Sequence, residues 1–180
     1  MQKLTEQIIK FALADIGNKE KPNNGGWFNA VKEKAMKLAG WIKGEAWCAY
    51  NAEVIWVNGF TIEDPVAVKL LVRYFSGSAV QTWKNFKASK EFKTSPTLPY
   101  LGSLAIWQSY KNGVAQYTGH IGVVVESPNA NTFKSVEGNT SESGSREGTI
   151  VGKNTHTIDK EKTRRDGLRL LGFVSCIRIA

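Results

Sequence analysis

The hydrophobic period of this chain changes once, around Ser95-Pro96 and Pro99. Before that point apolar residues recur at helical spacing; after it they fall in short strand-like blocks divided by turn residues. Residues 3–16 put Leu4, Ile8, Phe11 and Ala12 on one helical face, widened by Ile9, Leu13 and Ile16, and Gly17-Asn18 closes the helix. EKPNNGG, at 20–26, reads as a loop. A second helix is expected from about Phe28 to Ala39, with Val31, Ala35 and Leu38 inward. A third carries Ala49, Ala52, Ile55 and Trp56 at helical spacing and stops at Asn58-Gly59. Weaker helical patterns follow at 65–75 and 78–92. Strands are expected at 102–109, 120–126, 132–139, 148–158 and 168–179. Helices first and consecutive strands afterwards predict an α+β domain, with helices packed on one side of an antiparallel sheet. A length of 180 residues suits one such domain with a proper core.

Several function classes lose ground on composition. No apolar run is long enough for a transmembrane helix, so no membrane insertion is expected. Gln7, Lys10 and Asp15 interrupt the N-terminal apolar residues, and no small-residue cleavage site follows, so the segment is not a secretory signal. Cys48 and Cys176 are too few for a disulfide scaffold. His120 and His156 show no metal-ligand spacing, and no metal or other cofactor is expected. The formal charge of +8 favours polyanions: nucleic acid, anionic lipid or acidic cell-wall polymers. Nucleic acid is disfavoured among these, because no finger, RNP-like motif or basic helix accompanies the basic run KEKTRR at 160–165.

The chemistry-bearing stretch is GEAWCAYNAEVIW, at 44–56. It places Cys48 where a helix begins, and a helix N-terminus stabilises a thiolate. A free cysteine is also a small buried hydrophobe, so the thiol needs partners to count as reactive. His120 opens a strongly apolar strand, where it shares a face with Gly122, Val124 and Glu126. Gly122 has no side chain there, so a helix can approach. His156 lies in NTHTI, polar on both sides, and reads as a surface histidine, which leaves His120 as the preferred base. On the next strand Glu137 and Asn139 stand two apart, and either can accept the imidazole N–H and set its tautomer. Glu-Gly-Asn is equally good turn chemistry. Trp47, Trp107 and Tyr117 flank these motifs as candidate cleft aromatics, each with a packing role as the plainer alternative. Cys176, within FVSCIRI, reads as core.

GEAWCAYNAEVIW, TGHIGVVVE, SVEGNTS and the final LLGFVSCIRI resemble, in that order, the CHAP-type amidohydrolase/peptidases of the papain-like superfamily, relatives of NlpC-like cell-wall hydrolases. GSLAIW at 102–107 matches the strand that precedes the histidine strand in that family, with Ser103 in place of the usual Asp. The resemblance covers about residues 44–180 as a core, with 1–43 as an N-terminal helical segment of one catalytic domain. IGNKEKPNN resembles the lead-in of phage-type, endolysin-like members. The resemblance implies a papain-like fold with Cys48 as nucleophile, His120 as general base and Glu137 or Asn139 as orienter. It implies an N-acetylmuramoyl-L-alanine amidase or endopeptidase acting on bacterial peptidoglycan through a thioester. Calcium-binding members carry an acidic cluster before the cysteine; here only Glu45 stands there, so no calcium site is expected. Made in the cytoplasm without a signal peptide, such a protein reaches the wall through a holin-type pore or by injection, and an injected effector has an immunity protein as partner. The rival reading is a wall-binding or virion structural module on the same fold that does not cut.

Overall fold

The computed structural model describes residues 2–141, 148–159, 161–164 and 166–179, with the backbone alone at Pro128. The loop at 142–147 and Lys160 and Arg165 of the basic run lie outside the described residues. Among the described residues five helices come first: α1 (Gln2–Asp15), α2 (Ala30–Leu38), α3 (Cys48–Glu63), α4 (Pro65–Tyr74) and α5 (Ala79–Ser89). Six strands follow: β1 (Phe92–Ser95), β2 (Leu104–Lys111), β3 (Val114–Asn129), β4 (Thr132–Thr140), β5 (Ile150–Thr157) and β6 (Leu168–Arg178). They form one antiparallel sheet in the order β1-β6-β2-β3-β4-β5. The α+β class expected from the change of period is the one observed.

The strands alternate between two cores. Leu104, Ile106, Ile121, Val123 and Val174 pack with the helices, chiefly with Ile8 and Ala12 of α1 and Ala52, Ile55, Trp56 and Phe60 of α3. The opposite face carries a smaller core of Ala105, Trp107, Val124, Phe133, Leu168, Leu170 and Phe173, all from strands. That second core requires a curled sheet. β4 and β6 are three steps apart in the strand order, which a flat sheet would hold about 14 Å apart. Yet the Phe133 and Phe173 rings meet at 5.0 Å. Trp107 of β2 and His156 of β5, also three steps apart, meet at 4.9 Å. Curling of this kind brings side chains from non-adjacent strands into one concave space.

The N-terminal segment is joined to the sheet beside that space. Gly17 N–H donates to Val151 O at 2.9 Å, Val151 N–H to Asn18 O at 3.0 Å and Glu20 N–H to Thr149 O at 2.8 Å. Residues 17–20 thus cover the free edge of β5, which would otherwise present unpaired backbone groups.

Three local expectations are corrected. In α2 the inward residues are Lys32 and Met36, whereas Val31 and Leu38 are 79% and 80% exposed. The helix is turned because Lys32 Nζ donates to Asp15 Oδ2 at 2.6 Å and also to Asn51 Oδ1, so a paired lysine is buried where an aliphatic residue was expected. Asn58-Gly59 does not stop α3, which runs on to Glu63. Gly59 instead admits α1, since a Cβ there would lie 2.6 Å from Ile8 Cγ1. The segment 78–92 is not all helix. Lys90, in the left-handed conformation at φ 58°, ends α5, and the chain turns into β1, which pairs with β6.

Candidate active site

Cys48 is the first residue of α3. The preceding Trp47 offers no side-chain cap, so the first backbone N–H groups of the helix remain for a ligand or solvent. The thiol lies at the edge of the core with 6% exposure. Glu45, just before the helix, accepts a hydrogen bond from the Tyr50 hydroxyl at 2.8 Å.

His120, on β3, is 1% exposed and sits opposite Trp107 of β2. Its Nε2 lies 2.9 Å from Glu137 Oε2. Its Nδ1 is buried and makes no hydrogen bond of ordinary geometry among the described residues. With Nε2 engaged, Nδ1 is the ring atom left for the Cys48 thiol. Burial works against a charge on this ring. The nearby Cys48 sulfur, together with the hydrogen bond and negative charge of Glu137, outweighs that cost and pushes the pKa up to about 10.

Glu137 is saturated with donors. Oε1 takes the Ser135 hydroxyl at 2.5 Å and lies 2.5 Å from His156 Nε2. Oε2 takes Asn154 Nδ2 at 3.2 Å in addition to the His120 ring. Burial disfavours the carboxylate, but the hydrogen bonds from His120 and His156 prevail and hold its pKa well below the ordinary range. A carboxylate so committed is a weak base: it orients His120 and stabilises a protonated ring without taking the proton.

Gly122 has a different role from the one read in the sequence. A Cβ there would lie 2.5 Å from Glu137 Cγ, so Gly122 makes room for the orienting carboxylate and not for a helix. The glycine that admits the helix is Gly138. A Cβ on it would lie 2.5 Å from Trp47 Cζ3 and 2.7 Å from Asn51 Cβ, both at the start of α3. Gly138→Ala is therefore expected to push the start of α3 away from β4. The loss is about 1–3 kcal/mol of stability, typical of overpacking, together with slower alkylation of Cys48. Thermal denaturation and iodoacetamide labelling check the two effects.

The structure brings Cys48, His120 and Glu137 together. Asn139 is buried at φ 56°, and the bond to the His120 ring is made by Glu137. The register slips between Glu137 and Thr140, so alternation does not carry from 137 to 139. Trp47 and Trp107 do not line a cleft, being 0% and 2% exposed. Trp47 Nε1 donates to Glu20 Oε2 at 2.7 Å, and Trp107 packs its ring 6.0 Å from that of Phe133 in the second core. Tyr117 is 85% exposed on β3. Cys176 is buried, as expected, with Thr5 Oγ1 3.6 Å from its sulfur.

His156 is corrected most. It is not a surface histidine: it is buried against Trp107 and Phe133 and bonded to Glu137. Ser135, Asn154 and Arg164 were also missed. A signal existed for Asn154 and His156. They stand two apart on β5, the same spacing that singled out Glu137 and Asn139, and they pair with Ser135 and Phe133. Among the described residues no group of three or more His, Cys, Asp or Glu side chains is placed to hold a metal ion, and no helix is long and apolar enough to cross a membrane. Comparison of the sequence with protein-family models and with curated proteins yields no match to either.

Proposed function

We propose that this protein is a papain-like cysteine amidohydrolase of the CHAP type that cuts an amide bond in the peptide of bacterial peptidoglycan. The observation that carries the reading is a cysteine at an uncapped helix N-terminus beside a buried histidine whose far nitrogen is held by an ionised glutamate. His120 Nδ1 takes the Cys48 proton, and the thiolate attacks the amide carbonyl. The Cys48 backbone N–H supports the developing oxyanion. The protonated ring passes its proton to the leaving amine, and the acyl group remains on sulfur as a thioester. Water, deprotonated by the neutral ring, then releases the acid. The choice of peptidoglycan rests on the motif order and on the +8 charge, which favours encounter with an anionic wall.

Digestion of purified sacculi followed by mass spectrometry of the released muropeptides is expected to show one new class of termini. A free lactyl carboxylate with a free alanine amine marks an amidase; a cut within the stem or cross-link marks an endopeptidase. Intact sacculi after prolonged digestion would overturn the substrate. The 6% exposure of Cys48 favours a second reading, a module that grips the wall without cutting it. Under that reading the thiol is inert to a small alkylating probe at neutral pH while sacculi still bind the protein.

A further inference from the structure

Beyond the three residues of the proposed centre, a second histidine and an arginine complete a chain of polar contacts behind it. His156 Nε2 lies 2.5 Å from Glu137 Oε1, and His156 Nδ1 lies 3.1 Å from Arg164 Nη1. A guanidinium has donors only, so Nδ1 of His156 must be the acceptor of that bond. The ring proton is then on Nε2, where it donates to Glu137. Arg164 is held in turn by Asp166, with Nη2 2.9 Å from Oδ2. The ring is packed between Trp107 and Phe133, with centroids 4.9 and 5.3 Å away, and Arg164 also lies over Trp107. Among the described residues, the charged and titratable groups facing His156 are Glu137 of β4 and Arg164, with Asp166 behind the arginine and His120 of β3 beyond the carboxylate.

We propose that Arg164 locks His156 as a neutral Nε2–H donor, and that His156 is a positioning residue that holds Glu137 with its other oxygen toward His120. This rests on the reading of Cys48, His120 and Glu137 as a catalytic centre. Neutrality is the point of the device. A protonated His156 would compete with His120 for the one negative charge on Glu137 and weaken the protonated state of the catalytic ring. Arg164 prevents this by occupying Nδ1 and by placing its own positive charge there. With the arginine removed, Nδ1 is free to take a proton, and Asp166 is left nearby to favour it.

Two measurements test this. The imidazole ¹⁵N resonances of the wild-type protein are expected to show His156 neutral with the proton on Nε2 throughout pH 6–8. A doubly protonated ring or an Nδ1–H tautomer in that range overturns the proposal. This readout needs no turnover, so it stands apart from the question of whether Cys48 is a nucleophile. In kinetics, Arg164→Met is expected to add a protonation step near the ordinary histidine range. Below it kcat/KM falls about tenfold per pH unit, the effect of one added essential deprotonation. The step is expected to be absent from wild type and from the double variant Arg164→Met/His156→Gln, because the glutamine amide still donates to Glu137 but does not titrate. A pH profile of Arg164→Met parallel to wild type, or an acid step that survives in the double variant, overturns the proposal.

Discussion

Replacing Cys48 by alanine is expected to lower turnover on sacculi by on the order of 10⁵-fold, with little change in stability. Alanine fits the first turn of a helix, and the sulfur lies at the margin of the core, so the protein keeps its fold while losing the atom that bonds to the acyl group. His120→Ala is expected to cost about as much, and the double variant no more than either alone, because groups that act as a unit do not contribute additively. Alkylation provides a check independent of substrate. Cys176 is 1% exposed and serves as the internal control, so a mass shift confined to Cys48 is the expected result with iodoacetamide near neutral pH. Equal clearing of sacculi by wild type and Cys48→Ala would end the catalytic reading.

Glu137→Ala should affect both activity and folding. It strips the acceptor from four donors at once, those of buried Ser135, His120 and His156 and of half-buried Asn154. Breaking a buried charged network from one side costs on the order of 3–5 kcal/mol. For a chain of this size that lowers Tm by roughly 10 °C. The pH dependence of stability carries a separate signature. Glu137 has a depressed pKa, so its contribution is present above the ordinary carboxylate range and is lost as pH falls through the lower folded value. His120 has a raised pKa, so its contribution is complete below about pH 6.5 and fades as pH rises toward about 10. Wild type is expected to lose stability steadily between those two values. Glu137→Ala, whose His120 lacks its carboxylate partner, should show a shallower decline over the same interval. Chemical denaturation at pH 6.5, 8 and 9.5 compares the slopes, and identical slopes would separate His120 from Glu137 energetically.

The α+β class was legible because the apolar period is a local property. Spacing of 3.6 before Ser95-Pro96 and of 2 after Pro99 each needs only near neighbours in the chain to be read. Cys48 at a helix start and His120 and Glu137 on successive strands were legible for the same reason, since each position follows from its own element. The inward face of α2 was not. Its orientation depends on Lys32 finding Asp15 and Asn51, residues on other helices, and no pattern within α2 announces them. Gly122 and Gly138 were both visible as glycines, but which one admits a helix depends on where α3 crosses the sheet.

The sequence alone determined the five helices, the later strands, their order and the nature of the three side chains proposed to carry the chemistry, though not the short β1. Tertiary structure alone decided that Glu137 and not Asn139 holds the His120 ring, and that His156 is buried behind it. For the first the physical reason is the register slip between Glu137 and Thr140, and for the second it is the curl of the sheet. It brings strands three steps apart within one ring contact of each other, a relation set by long-range register and twist. Local period cannot encode that relation, because the same alternation is compatible with a flat sheet in which those side chains never meet.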